Sequence, residues 1–271
     1  ITNLVNSSGV IAADVSGVGT ARDILAATSY GGDKAIFGYG NSSSYTSLTN
    51  LVSNSGVVSA DVSGVGTARR ALTAAKYGTD KAIFGYGYTG SASSLTNLVS
   101  NVGVVAADVT GVGTARYGLA AASYGTDKVI FGYGSTGSSV SLTNLASNTG
   151  VVATDVTGVG TARFYLAACG YGTDKAIFAY GVGDDDSDLS LSNLVSSSGV
   201  VATDVTGVGT VRRAAAASSY GGDKAIFGYG YAGGNVSVSN LVSSSGVVAA
   251  DVTGVGTARH GAAATGYSNS A

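Results

Sequence analysis

The residues able to do chemistry are few in this chain of 271 residues, and their spacing excludes most reactions. His260 is the only histidine, Cys169 the only cysteine, and every acid is Asp because Glu is absent. One His and one Cys cannot build a zinc or copper site of the usual kind. No Ser-His-Asp constellation can be placed beyond His260 itself. Cys169 has no partner for an intramolecular disulfide, which leaves the redox compartment open. Asp184, Asp185, Asp186 and Asp188 form the one charge cluster, and alternate Asp oxygens suit Ca²⁺. A calcium loop of the EF-hand pattern would need Gly where Leu189 stands and Glu where Val195 stands, so a solvated acidic loop is expected. The string GVGTAR has glycines like those of a phosphate loop but lacks the third Gly and any following helix, and it reads as a strand-end turn. Asn6, Asn41 and Asn235 satisfy the glycosylation sequon, which Ser-rich loops produce by chance. No catalytic residue, metal or cofactor is expected.

GVGTAR is more informative as a repeat. It occurs at 17–22, 64–69, 111–116, 158–163 and 254–259, with GVGTVR at 207–212, at spacings of 47, 47, 47, 49 and 47 residues. Other copies carry Thr28, Ala75, Ala122, Ser218 and Thr265 where Cys169 stands, which points to a small, buried, inert thiol. Eleven of the sixteen acids and eleven of the fourteen bases occupy repeated positions, among them Asp61, Asp108, Arg69 and Arg116. The framework is therefore neutral and offers no field for nucleic acid or an anionic membrane. No apolar run approaches the ~18 residues of a membrane-spanning helix, and no targeting sequence is visible. The chain carries no Met and opens inside a repeat, as expected of part of a longer product. The repeated Asp and Arg, eight residues apart along the chain, are expected to form a structural pair or a backbone cap.

The elements that position these residues are strands. In the copy from 116 to 158, YGLAAASYG, VIFGYG, VSLTNLAS and VVATDVTGVG are separated by the turn signals TD, STG and NTG. Four short apolar runs, here labelled a to d, read as consecutive antiparallel strands. Runs such as VIF and AAA are apolar on successive residues, so both faces of each sheet should be buried. Four strands in ~47 residues is the blade size of a β-propeller. The order of signals resembles the kelch repeat: Arg after the inter-blade loop, small residues, Tyr-Gly, a turn, then an apolar strand ending in a Gly pair. That strand is AIFGYG at 35–40, 82–87 and 225–230, with IFAYG at 177–181. The adjacent Gly-Gly of that family is here spread to Gly-Tyr-Gly, and its Trp is absent.

The fold expected is all-β, a six-bladed propeller of four-stranded antiparallel blades forming a single domain over 1–271. Its repeats span about 22–68, 69–115, 116–162, 163–211 and 212–258. A closing blade combines 259–271 with 1–21; it lacks strand b, which would precede Ile1 in a longer product or be absent. The wording TDKAIFGYG with TNLVSN is also similar to repeat proteins encoded by bacteriophages, which implies a virion or another extracellular appendage as carrier.

The copies differ at two places. The residues after the constant Arg are Asp23-Ile24, Arg70-Ala71, Tyr117-Gly118, Phe164-Tyr165, Arg213-Ala214 and His260-Gly261. The b–c loops differ too: NSSSYTS, YTGSASS, STGSSVS, VGDDDSDLS and YAGGNVS. In a kelch-type blade both connections emerge on one face, and loops on a rigid scaffold are where binding residues sit. Tyr117, Phe164 and Tyr165 are the expected stacking platforms, Arg70, Arg213 and His260 the donors, and Tyr88, Tyr231 and the 184–188 loop the rim. The expected partner is a glycan or cell-surface polymer. The alternatives are a protein partner whose acidic groups meet Arg70 and Arg213, or a purely structural role in an assembly. Drift among duplicated copies is the bland alternative, and it does not favour large aromatics beside a constant Arg. Kelch-type oxidases need several metal ligands, and sialidase-like propellers need Trp-containing Asp boxes; this chain has neither.

Overall fold

A computed structural model describes residues 1–267. Fifteen strands form five three-stranded antiparallel sheets and no helix occurs among the described residues. The first sheet joins β1 (Ala26–Tyr30), β2 (Lys34–Gly38) and β3 (Thr49–Val52). The second joins β4 (Thr73–Tyr77), β5 (Lys81–Tyr88) and β6 (Ala92–Val99). The third joins β7 (Ala120–Tyr124), β8 (Lys128–Gly132) and β9 (Thr143–Ala146). The fourth joins β10 (Ala167–Tyr171), β11 (Lys175–Ala179) and β12 (Ser192–Val195). The fifth joins β13 (Ala216–Tyr220), β14 (Lys224–Tyr231) and β15 (Asn235–Val242). These are segments a, b and c of each repeat, and b is the central strand of every sheet.

Segment d departs from the expected continuous strand. In the third unit it touches β9 only at the bridges Thr143–Val156 and Ala146–Val152. Three residue steps on β9 thus face four on segment d, which is a one-residue bulge. The Asn144 amide fills the bulge and donates to the Ala153 carbonyl at 3.0 Å. The same pair of bridges recurs in every repeat, including Thr2–Val15 and Val5–Ile11 near the N-terminus.

Successive sheets stack face to face because both faces are apolar. Tyr39 meets Phe84 at a ring-centroid distance of 5.1 Å, Tyr86 meets Phe131 at 5.2 Å, Tyr133 meets Phe178 at 5.2 Å and Tyr180 meets Phe227 at 5.3 Å. Each of these Tyr side chains comes from the Gly-Tyr-Gly end of strand b (Ala-Tyr-Gly for Tyr180), where its φ of +62° to +65° swings the ring onto the next unit. The cluster built on Tyr86 and Phe131 also contains Ile83, Leu119 and Val129, and analogous clusters occupy the other three interfaces between the five sheets.

The constant Arg locks these interfaces. Arg69, Arg116, Arg163 and Arg212 are fully buried, and their guanidinium groups lie 3.9–4.6 Å from the ring centroids of Tyr39, Tyr86, Tyr133 and Tyr180 of the preceding unit. Arg69 donates to Asn97 at 2.6 Å, to the Thr67 carbonyl at 3.1 Å and to the Tyr86 carbonyl at 2.8 Å. Its carboxylate partner is Asp108 at 3.8 Å, not Asp61 eight residues away; the pair closes a whole unit upon itself. Asp108 also accepts from the Thr67 hydroxyl at 2.6 Å, which fastens the entry of the unit to its last segment.

The ends of the chain meet through the same device. Asp14 accepts from the Thr257 hydroxyl at 2.6 Å and lies 3.5 Å from Arg259, and Asn3 accepts from Arg259. At the centre, six backbone hydrogen bonds form a closed cycle. Ile24 donates to Gly261, Ala71 to Ile24, Gly118 to Ala71, Tyr165 to Gly118, Ala214 to Tyr165 and Gly261 to Ala214, at 2.6–3.1 Å. All six residues are left-handed, with φ between +49° and +64°. The closing unit differs from the rest: 262–267 forms neither strand nor bridge, and only the c and d segments near the N-terminus pair.

Two outcomes follow for stability. Asn144→Ala removes a fully buried acceptor from Arg116 and a donor to Asp155, and should cost about 2–3 kcal/mol in urea unfolding, whereas exposed Asn148→Ala should stay within about 0.5 kcal/mol. Hydrogen bonds from Thr20 and Asn50 hold the Asp61 carboxyl at about 2, and Thr257 and Asn3 hold Asp14 there too. Carboxyls depressed in the folded state stabilise it fully above the unfolded value near ~4 and lose that contribution as pH falls toward ~2. The urea midpoint should therefore be level above about pH 4 and fall steeply below it.

Candidate functional site

The two variable sets do emerge on one face. In the five units that have a b–c connection, the residue after the constant Arg pairs with the residue opening that connection: Asp23 with Asn41, Arg70 with Tyr88, Tyr117 with Ser135, Phe164 with Val182 and Arg213 with Tyr231. The second and fifth hairpins are the longest. Their short Thr-Gly-Ser and Ala-Gly-Gly turns allow pairing to continue past the bulge to Tyr88–Ala92 and Tyr231–Asn235. The opposite face carries the constant turns, where Gly31 donates to the Asp80 carbonyl of the next unit at 2.7 Å, and Gly78, Gly125 and Gly172 repeat the contact.

Five aromatic rings form a continuous arc on the variable face. Tyr45 meets Tyr88 at 6.2 Å, Tyr88 meets Tyr117 at 5.2 Å, Tyr117 meets Phe164 at 6.4 Å and Phe164 meets Tyr165 at 4.9 Å. Arg70 stacks on the arc, 5.3 Å from the Tyr45 ring and 5.7 Å from that of Tyr88. Among the described residues Arg70 forms no ion pair. Tyr165 belongs to the central hydrogen-bonded cycle, and its ring lies over Gly118: a Cβ there would stand 3.3 Å from Tyr165 Cδ1. Burial pushes the Tyr165 phenol up, opposed by the charges of Arg70 and Arg213 on either side. Tyr88, Tyr117, Phe164 and Tyr165 are all half-buried and keep accessible surface.

The other predicted residues form a second group. Arg213 stacks on Tyr231 at 5.2 Å, and Tyr231 meets His260 at 5.5 Å. His260 Nδ1 is 2.7 Å from the side-chain oxygen of Asn235. Arg213 is not a free donor: it pairs with Asp186, and its Nε lies 3.7 Å from Asp188. The 184–188 loop is thus not merely solvated. Desolvation raises the Asp188 carboxyl while Arg213 opposes the rise, and Asp184 accepts from the Ser139 amide of the neighbouring unit at 2.7 Å. No group of three or more His, Cys, Asp or Glu side chains suited to a metal occurs among the described residues. Cys169 is buried in an apolar cluster that raises its thiol pKa and keeps it protonated.

Sequence reasoning missed Tyr45, which lies within a Ser-rich loop and repeats nowhere else. Its signal was available: it is the one aromatic in the interior of any b–c loop. Compared with models of known protein families and with curated proteins, the chain matches none.

Gly118→Ala tests how the arc is built. The added methyl meets Tyr165 and forces a left-handed Ala, so a loss of about 1–2 kcal/mol is expected in urea unfolding. Gly234→Ala, with ordinary backbone geometry and open space around it, should cost less and leave the Tyr165 environment unchanged by NMR.

Proposed function

We propose that this chain is a six-bladed, kelch-like β-propeller without enzymatic activity, and that its variable face recognises carbohydrate or a cell-surface polymer. The six-residue hydrogen-bonded cycle supports sixfold closure, since each repeat contributes one peptide to it and the sixth returns to the first. The outward bulge of segment d supports a fourth, interrupted strand in each blade.

The observation that carries the functional reading is the arc from Tyr45 to Tyr165. Five aromatic rings from four different repeats meet on one face, while the opposite face repeats its residues almost unchanged. Aromatic faces stack on the apolar faces of sugar rings, and Arg70 and the tyrosine hydroxyls would supply hydrogen bonds to sugar hydroxyls. A virion or another extracellular appendage is the carrier that this reading favours. Drift would not make variable residues from separate repeats complement one another, as Arg70 does with Tyr45 and Arg213 with Asp186.

A protein partner with acidic groups is the second reading. It has Arg70 in its favour, but Arg213 is already neutralised by Asp186 and Asp188. The deciding experiment is a glycan and envelope-polysaccharide array, run with the parent chain, Tyr117→Ala and Phe164→Ala. The carbohydrate reading expects glycan binding that falls about tenfold or more in each variant without loss of thermal stability. Binding indifferent to both substitutions, or no glycan binding by the parent, would reject it.

A further inference from the structure

Among the described residues the five sheets have four shared cores between them. Between the fifth sheet and the first lies a cavity of about 1540 Å³ that runs into the central channel and is lined in part by Ile226, Gly228, Tyr229, Phe37 and Arg22. Its two walls are half-sockets whose missing partners can be read from the other interfaces.

On the wall formed by β14, the position of Gly228 is taken in other units by Gly38, Gly85 and Gly132, each of which lies under the Phe of the next unit at 2.7–2.8 Å from an ideal Cβ. A Cβ on Gly228 would meet nothing within 4 Å. Among the described residues Tyr229 likewise has no Phe, although Tyr39, Tyr86, Tyr133 and Tyr180 each have one. On the opposite wall the relation is reversed. Phe37 is half-buried where Phe84, Phe131, Phe178 and Phe227 are fully buried, and it has no preceding Tyr. Among the described residues Arg22 has no ring to stack on, although the other five constant Arg residues each have a Tyr.

The backbone edges agree. In the complete units, strand b is held between a and c, as Gly132 is between Ala120 and Thr143. In the closing unit the corresponding segments are 263–267 and 2–5. The first forms neither strand nor bridge, and the second is bridged only on its d side. One absent strand would pair with both edges and fill both sockets.

We propose that this slot is an acceptor for one added β-strand with the pattern Lys-Ala-Ile-Phe-Gly-Tyr-Gly, supplied by a polypeptide segment outside residues 1–271. Its Phe enters the space above Gly228 and beside Tyr229. Its Tyr lies between Phe37 and the Arg22 guanidinium. Its backbone joins 263–267 to the N-terminal edge, completing the sixth sheet by strand addition. The inference rests on the six-unit closure and is independent of the carbohydrate reading, so either can fail alone.

The probe is a synthetic peptide copying residues 78–88, GTDKAIFGYGY, which carries the pattern in full. The expected results are 1:1 binding by calorimetry, a peptide-dependent rise in Tm, and new amide-exchange protection confined to 2–5 and 263–267. Peptides with the Phe or the central Tyr replaced by Ala should bind at least about tenfold more weakly. Gly228→Leu fills the socket from within; it has ordinary backbone geometry and open space around it, so it should fold with unchanged or higher Tm yet lose the peptide. Absence of binding to the folded parent would overturn the proposal, and so would binding that survives Gly228→Leu. Concentration-dependent dimerisation that the peptide does not compete away would also overturn it, because a second copy would then occupy the slot.

Discussion

The structure depends on how a guanidinium is compensated in each of six copies, four of them fully buried. An uncompensated Arg in an apolar interface would cost several kcal/mol. Here each guanidinium is held by an Asn side chain and five of the six also by a Thr carbonyl, an Asp carboxylate lies under 4 Å away in most units, and in five units a Tyr ring of the preceding one lies within 4.6 Å. Desolvation lowers the pKa of Arg69, Arg116 and Arg163, and the nearby Asp carboxylates oppose that shift, so the charge is retained. The cluster ties together the entry of a unit, its third segment, its outer segment and its neighbour. That explains why Arg, Asn, Asp and Thr recur at constant positions while the loops between them vary. A Lys could not replace the Arg, because an ammonium lacks the planar face and the fork of donors that reach the Tyr ring and several acceptors at once.

The same device fastens the N-terminal segments to the end of the last repeat, although 262–267 forms neither strand nor bridge. The Asp14, Asn3, Thr257 and Arg259 cluster needs only segments c and d and the entry loop, all of which are present at the termini. The central hydrogen-bonded cycle needs only the residue two beyond each constant Arg, and Gly261 supplies the sixth. What the closing unit lacks is the interior between these two fastenings. Closure and core are thus supplied by different residues, so one can exist without the other.

On the variable face, a rigid backbone carries side chains that are free to differ. In five units the residue after the constant Arg is held by a bridge to the b–c connection and followed by a left-handed residue in the central cycle, so its direction is set by the scaffold and not by its own type. Tyr165 and Ile24 accept left-handed backbone that normally favours Gly, at a cost of order 1–2 kcal/mol each that the surrounding cycle outweighs.

The sequence by itself determined the repeat, the all-β class, segments a to c and the identity of the positions that vary. These are legible because period, apolar runs and turn residues are local properties of the chain. Only the tertiary structure decided which Asp serves which Arg: the pair eight residues apart is not made, and Arg22 meets Asp61, 39 residues on. It also decided that segment d bulges around an Asn, that Tyr45 joins the aromatic arc, that Arg213 is spent on Asp186 and Asp188, and that Phe37 and Gly228 face an empty slot. Each of these is a contact across a unit or between units. Identical local sequences give no sign of them, because the partner is set by how neighbouring sheets stack.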